Sequence, residues 1–171
     1  MATLKMVGMR GMPGSGKSTK GKVIRDEHLA LGFKVKVFST DDFWGDPYNF
    51  VPAKIREAHL WNQHRAMVGM IDAWADLGSD HLLIIDNTNV QAWELRPYFA
   101  PAMKLGFECE IVEPGTAWAF NAEECAKRTV HGVPVETIRG MLARWDHNLT
   151  PEQCLKALAP WERSGSHRTP E

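Results

Sequence analysis

Cysteine is scarce in this 171-residue chain: Cys109, Cys125 and Cys154 are the only three, and none forms a C-x-x-C pair. That excludes a disulfide framework and leaves three reduced thiols, as in a cytoplasmic protein, as the simplest expectation. Seven histidines are present, but none has zinc-ligand spacing. No apolar run is long enough to cross a bilayer, and no signal-peptide pattern precedes the first apolar run, so a cytoplasmic protein with no membrane partner is expected. The net charge is only −1, so no global field advertises a nucleic-acid track, and any such contact must be local. There is no N-K-x-D guanine-reading motif, which counts against a GTPase switch. No internal repeat is visible. A hydrophobic share of 44% suits one domain over residues 1–163, and the polar stretch 164–171 is expected to be a disordered tail. That tail holds one H-x-T at 167–169, and a phosphodiesterase built on two such motifs would need a second.

What is present is concentrated early. Gly11-Met12-Pro13-Gly14-Ser15-Gly16-Lys17-Ser18-Thr19 fits the phosphate-binding P-loop pattern G-x-x-x-x-G-K-[ST]. Its glycines let backbone N–H groups turn inward around phosphate oxygens. Lys17 can reach the terminal phosphates as a point charge, and the Ser18 hydroxyl can ligate Mg²⁺. The next helix adds the positive end of its dipole. ATP and Mg²⁺ are the cofactors this motif implies.

Four apolar or β-branched runs, at 4–10, 34–39, 81–86 and 107–113, read as strands. Helical patterns occupy 20–31, 52–77, 91–104, 117–130 and 134–146. The alternation predicts an α/β fold of the P-loop NTPase type: a parallel sheet of four to five strands, helices on both faces, and a small helical lid. Met67, Met70, Ile71 and Trp74 repeat at helical spacing and are expected to face the core. Pro97 and Pro101 are expected to break or kink their helix.

The first three strands each end in a polar cluster, so the topology brings three motifs to one edge of the sheet. Asp86 closes the apolar run Leu82-Leu83-Ile84-Ile85, the pattern of a Walker B acid that supports Mg²⁺. Asp41 and Asp42 follow the second strand. A carboxylate there can accept the proton of an acceptor hydroxyl, and Asp41 is the preferred base. Arg128 lies between the last two helical patterns, where it can close over a transferring phosphoryl group. His59, Asn62 and Arg65 step by three along a helix, as an acceptor groove or simply as its polar face. Trp44 can stack on a base or pack in the core. Asn87, Asn89 and His131 complete the residues expected near the acceptor.

These motifs together resemble the P-loop polynucleotide 5′-kinases. The chain looks like the kinase domain of the T-even phage enzyme, and closer still like that of a eukaryotic family that binds a ubiquitin ligase. The resemblance covers nearly the whole chain: GMPGSGKST at 11–19, STDD at 39–42, AHLWNQHR at 58–65, IIDNTNVQAWELRPY at 84–98 and KRTVHGVP at 127–134. It implies that Lys17 and Ser18 bind donor phosphates and Mg²⁺, and that Asp41 is the general base. It also implies that Asp86 supports the P-loop serine and that Arg128 is a lid arginine on the donor phosphates. The acceptor it implies is a 5′-hydroxyl end of RNA or DNA. Two positions depart from the phage pattern. Trp44 replaces a basic residue that contacts the acceptor nucleotide's phosphate, and His131 is the nearest counterpart of a second lid arginine. Both changes bear on the acceptor. A kinase for another hydroxyl (a nucleoside, a sugar nucleotide or a modified base) is the nearest alternative, and an ATP-binding switch or adaptor is the alternative of a different class.

Overall fold

The structure is a computed structural model that describes residues 2–163, so the expected tail and its H-x-T lie outside the described residues. Four parallel strands form one sheet in the order β2-β3-β1-β4: β1 Leu4–Met9, β2 Lys34–Phe38, β3 His81–Asp86 and β4 Glu108–Val112. Residues Leu82 to Ile85 are all at most 1% exposed. Such burial contributes roughly 1.5–3 kcal/mol per large side chain, and it anchors the strand that ends in Asp86.

Alternation along β3 divides the core between the two faces. Leu82 and Ile84 pack with Val7, Met9 and Ile24 of α1 (Lys17–Ala30). Leu83 and Ile85 pack on the other face with Met6, Phe38 and residues of α2 (Ile55–Ala75) and α3 (Ala92–Lys104). A smaller cluster under the P-loop joins Met12 and Val90 to α4 (Ala122–Arg128), α5 (Val135–Leu142) and Trp145. Two short helices the sequence pattern did not suggest follow, α6 (Pro151–Lys156) and α7 (Pro160–Arg163).

Three expectations change. The stripe on α2 does not face the core: only Met70 is buried, and Met67, Ile71 and Trp74 are 37%, 51% and 54% exposed. The buried face is instead Ala58, Asn62, Ala66, Gly69, Met70 and Ala73. Small residues let the helix lie close to the sheet, and a side chain at Gly69 would come within 2.5 Å of the Phe38 ring. The second correction is that α3 runs unbroken through Pro97 and Pro101. The two prolines are one turn apart, and Leu95, Tyr98, Phe99 and Ala102 bury enough surface to offset the missing donors. Third, the lid helices are shorter than their patterns, because residues 117–120 and 143–144 form turns.

Candidate functional site

The carboxyl ends of β1, β2 and β3 are stitched together by side chains. Thr40 N–H donates to Asn87 Oδ1 at 2.9 Å, Asn89 Nδ2 donates to the Met9 carbonyl at 2.7 Å, and Gly11 N–H donates to the Thr88 carbonyl at 3.1 Å. Asn89 sits at φ 45°, a conformation asparagine tolerates better than most residues. Both asparagines are buried. They hold the site together, which corrects their expected place against an acceptor.

Between these ends the P-loop turns through left-handed Gly14 and Gly16 into α1. Gly16 caps α1 without a side-chain hydrogen bond, so the first N–H groups of the helix point into the loop. Ser15 Oγ is buried with no hydrogen-bond partner. An orphaned hydroxyl among free helix-terminal donors fits a phosphate group. Lys17 Nζ is paired with Asp86 Oδ1, and both side chains are mostly buried. Ser18 is exposed at the start of α1. Among the described residues no cluster of three or more His, Cys, Asp or Glu could hold a metal by itself. A Mg²⁺ ion here would therefore be held by Ser18, Asp86 and the donor's phosphates together, which is the usual arrangement for that ion.

The acidic pair divides. Ser39 Oγ caps the 3-10 turn Thr40–Trp44 by accepting from Asp41 N–H at 3.2 Å. Asp42 is tied to Arg65 at 3.0 Å, and that guanidinium lies 4.3 Å over the Trp61 ring. Asp41 carries no ion pair among the described residues, and Tyr48 OH donates to its Oδ1 at 3.2 Å. Burial, and then the neighbouring Asp41, push the Tyr48 phenol up to about 12. Tyr48 in turn stacks flat on His131, with ring centroids 3.7 Å apart.

The expected acceptor groove on α2 is a set of internal ties. His59 Nδ1 meets Thr40 Oγ1 at 3.4 Å, and burial pulls its pKa below the ordinary value, with Asp41 opposing. Asn62 is fully buried and donates to Tyr98 OH at 3.2 Å, while Arg65 belongs to Asp42. Trp44 is also corrected: it is 6% exposed, packed edge-on against Phe43 and Phe50, and cannot offer a face to a base.

The lid rests directly on the P-loop. Trp118 Nε1–H donates to the Gly14 carbonyl at 3.1 Å, and Thr116 Oγ1–H donates to the Ser15 carbonyl at 2.7 Å. Arg128 lies 4.6 Å over the Trp118 ring, with Nη1 on the Glu124 carboxylate at 2.5 Å. It is thus one side chain away from the loop.

A family profile described as AAA domain matches residues 6–150. The chain belongs to this AAA-domain family. Human NEDD4-binding protein 2 is 38% identical over 159 residues, covering 92% of this chain but 8% of that protein. The chain spans about a tenth of the length of the first curated relatives it matches. Among solved structures, the Mycobacterium tuberculosis APS kinase CysC in complex with AMPPNP and APS superposes with a TM-score of 0.53. It is 22% identical and covers 75% of this chain and 69% of its own. A chain of the Pnkp1/Rnl/Hen1 RNA repair complex gives 0.55 at 15% identity, covering 84% and 44%. These likenesses establish the fold, an α/β P-loop kinase-like domain with a four-stranded parallel sheet. No helix among the described residues is long and apolar enough to cross a membrane.

Within this AAA-domain frame, sequence reading missed Arg10. It is fully buried, lies 3.9 Å over Trp145, and donates to the carbonyls of Asn89 (2.8 Å), Val90 (2.8 Å) and Asp146 (2.9 Å) as well as to Glu113 (2.8 Å). Burial lowers its pKa, with Glu113 first among the groups that oppose the shift. Its signal was a lone charge between an apolar strand and the P-loop. Thr116 and Trp118 lie past the end of β4, and the rule that places function at strand ends extends to that strand as well.

Proposed function

We propose that the protein is an ATP-dependent kinase that transfers the γ-phosphate of ATP to the 5′-hydroxyl end of RNA or DNA. The observation that carries this reading is the division of the acidic pair. Asp42 is neutralised by Arg65, while Asp41 stands exposed at the sheet edge with no cation on it among the described residues. A hydrolase needs a positioned water, whereas a kinase needs a base for the acceptor hydroxyl, and a carboxylate at this edge can accept that proton. The motifs shared with polynucleotide 5′-kinases supply the acceptor class.

In this mechanism the acceptor O–H gives its proton to Asp41. Its oxygen bonds to the γ-phosphorus as the bond to the β,γ-bridging oxygen breaks, and ADP leaves. Lys17 turns from Asp86 to the donor phosphates and, with Arg128, offsets charge on the transferring group. Mg²⁺, when bound, neutralises the donor phosphates, with Ser18 and Asp86 to hold it.

A second reading is favoured by one feature, the burial of Trp44 where the phage kinase has a phosphate-contacting base. An acceptor with few phosphates, such as a nucleoside, suits that surface. The test is label transfer from γ-labelled ATP with Mg²⁺ to 5′-hydroxyl RNA and DNA oligonucleotides, with nucleosides in parallel. Label at oligonucleotide ends, lost in Lys17→Ala and Asp41→Asn, is expected, and Asp41→Asn should bind ATP almost as wild type does. Wild-type turnover in Asp41→Asn would falsify the general-base assignment. Label on nucleosides alone would replace the polynucleotide acceptor with the small one. ATP binding with no transfer to any hydroxyl would leave a switch or adaptor module.

A further inference from the structure

The loop between the 3-10 turn and α2 carries one side chain that touches both halves of the site. Tyr48 reaches Asp41 with its hydroxyl (3.2 Å) and His131 with its ring (3.7 Å between centroids, 9° between planes). Among the described residues it is the one side-chain hydrogen-bond donor on the Asp41 carboxylate. His131 lies in the loop between α4 and α5, three residues beyond Arg128 at the end of α4.

We infer that Tyr48 is a positioning residue that couples the lid to the base. Its hydroxyl orients Asp41, and its ring holds the α4–α5 loop through His131. The inference rests on Asp41 being the general base. Three features fit it. The bond occupies Oδ1 and leaves Oδ2 for the acceptor hydroxyl. At 3.2 Å it is longer than the strong charge-assisted bonds of about 2.5–2.7 Å, so it sets the carboxylate's direction without clamping it. The phenol, pushed up to about 12, remains a donor at every working pH. Docking of the lid loop and orientation of the base are then one event. A base that points correctly only under a closed lid limits futile transfer to water.

The hydroxyl and the ring separate by substitution. Tyr48→Phe keeps the stack and loses the bond, so kcat should fall about tenfold while KM for ATP stays within about twofold. His131→Ala loses the stack and should raise KM for ATP severalfold, with His131→Phe restoring it. Amide exchange of residues 129–133 should quicken about tenfold in Tyr48→Ala and stay unchanged in Tyr48→Phe. A Tyr48→Phe kcat within twofold of wild type overturns the hydroxyl's role. Unchanged exchange in Tyr48→Ala overturns the ring's role. If the wild-type protein phosphorylates nothing, the general-base reading falls on its own. The contacts are then decided by the exchange measurement and by a Tyr48→Phe, Asp41→Ala double-mutant cycle in the unfolding midpoint, where additivity overturns the hydroxyl–carboxylate coupling.

Discussion

Gly14 offers a direct test of how the lid meets the P-loop. Its φ is +77°, which costs an alanine about 1–2 kcal/mol by itself. A methyl group there would also lie 2.1 Å from the Cys125 carbonyl oxygen and 3.1 Å from the Thr129 nitrogen. Those are backbone atoms at the end of α4, so no side-chain rotation relieves the overlap. Overpacking of this kind costs roughly 1–3 kcal/mol where the neighbour cannot move. Gly14→Ala should therefore lose about 2–5 kcal/mol if α4 holds its place, read as a fall in the denaturant midpoint at unchanged slope. If α4 moves instead, the midpoint falls by the backbone cost alone. The displacement then appears as faster amide exchange over α4 and a quenching change at Trp118, whose indole is bonded to the Gly14 carbonyl. ATP affinity should weaken about tenfold in either case, because the loop's donors shift with it. A variant with the wild-type midpoint and wild-type exchange over α4 would refute the claim that the lid's backbone excludes a side chain at this position.

Two more predictions follow from buried charge. Arg10→Met strands three carbonyls and Glu113 without their donor and should cost about 3–5 kcal/mol, whereas Arg10→Lys, which keeps the charge but not the fork, should cost less. Equilibrium denaturation checks both, and a loss under about 1 kcal/mol for the methionine variant would sink the idea. His59 is held below its ordinary pKa by burial. The unfolded chain therefore binds its proton more readily, and its contribution to stability is full above about pH 6.5 and is lost as pH falls through the folded value. His59→Gln should flatten the acid side of the stability curve below about pH 6.5, and an unchanged slope there would show that His59 is not its source.

The frame of this protein was legible because it depends on local signals that tertiary structure has little freedom to override. A P-loop after an apolar run, and an acid closing Leu82-Leu83-Ile84-Ile85, fix a strand end and a helix start within a few residues. What stayed hidden depended on how closely elements approach. The heavy side chains of α2 looked like a core face by periodicity. Yet the helix turns Ala66, Gly69 and Ala73 to the sheet, because Phe38 already fills the space between. A periodicity argument weighs hydrophobicity, while a close packing interface selects for smallness, and the two disagree on this helix.

The same limit explains the polar residues. His59, Asn62 and Arg65 share a helix face, and spacing alone leaves acceptor groove and plain polar face equally open. What separates the readings is the partner each side chain finds: Thr40 and Asp42 on the 3-10 turn, and Tyr98 on α3. Partners distant in sequence carry no local signature, so Arg10, Tyr48 and Trp118 were equally invisible. In each case the residue joins elements that only the fold brings together. Asp41 is therefore informative for what it lacks. Around it Thr40, Asp42 and His59 find partners within the fold, and its carboxylate accepts one neutral donor, on Oδ1. Asp42 and Asp86 each hold a cation and Asp41 holds none among the described residues, so the proposed kinase mechanism stands or falls on Asp41.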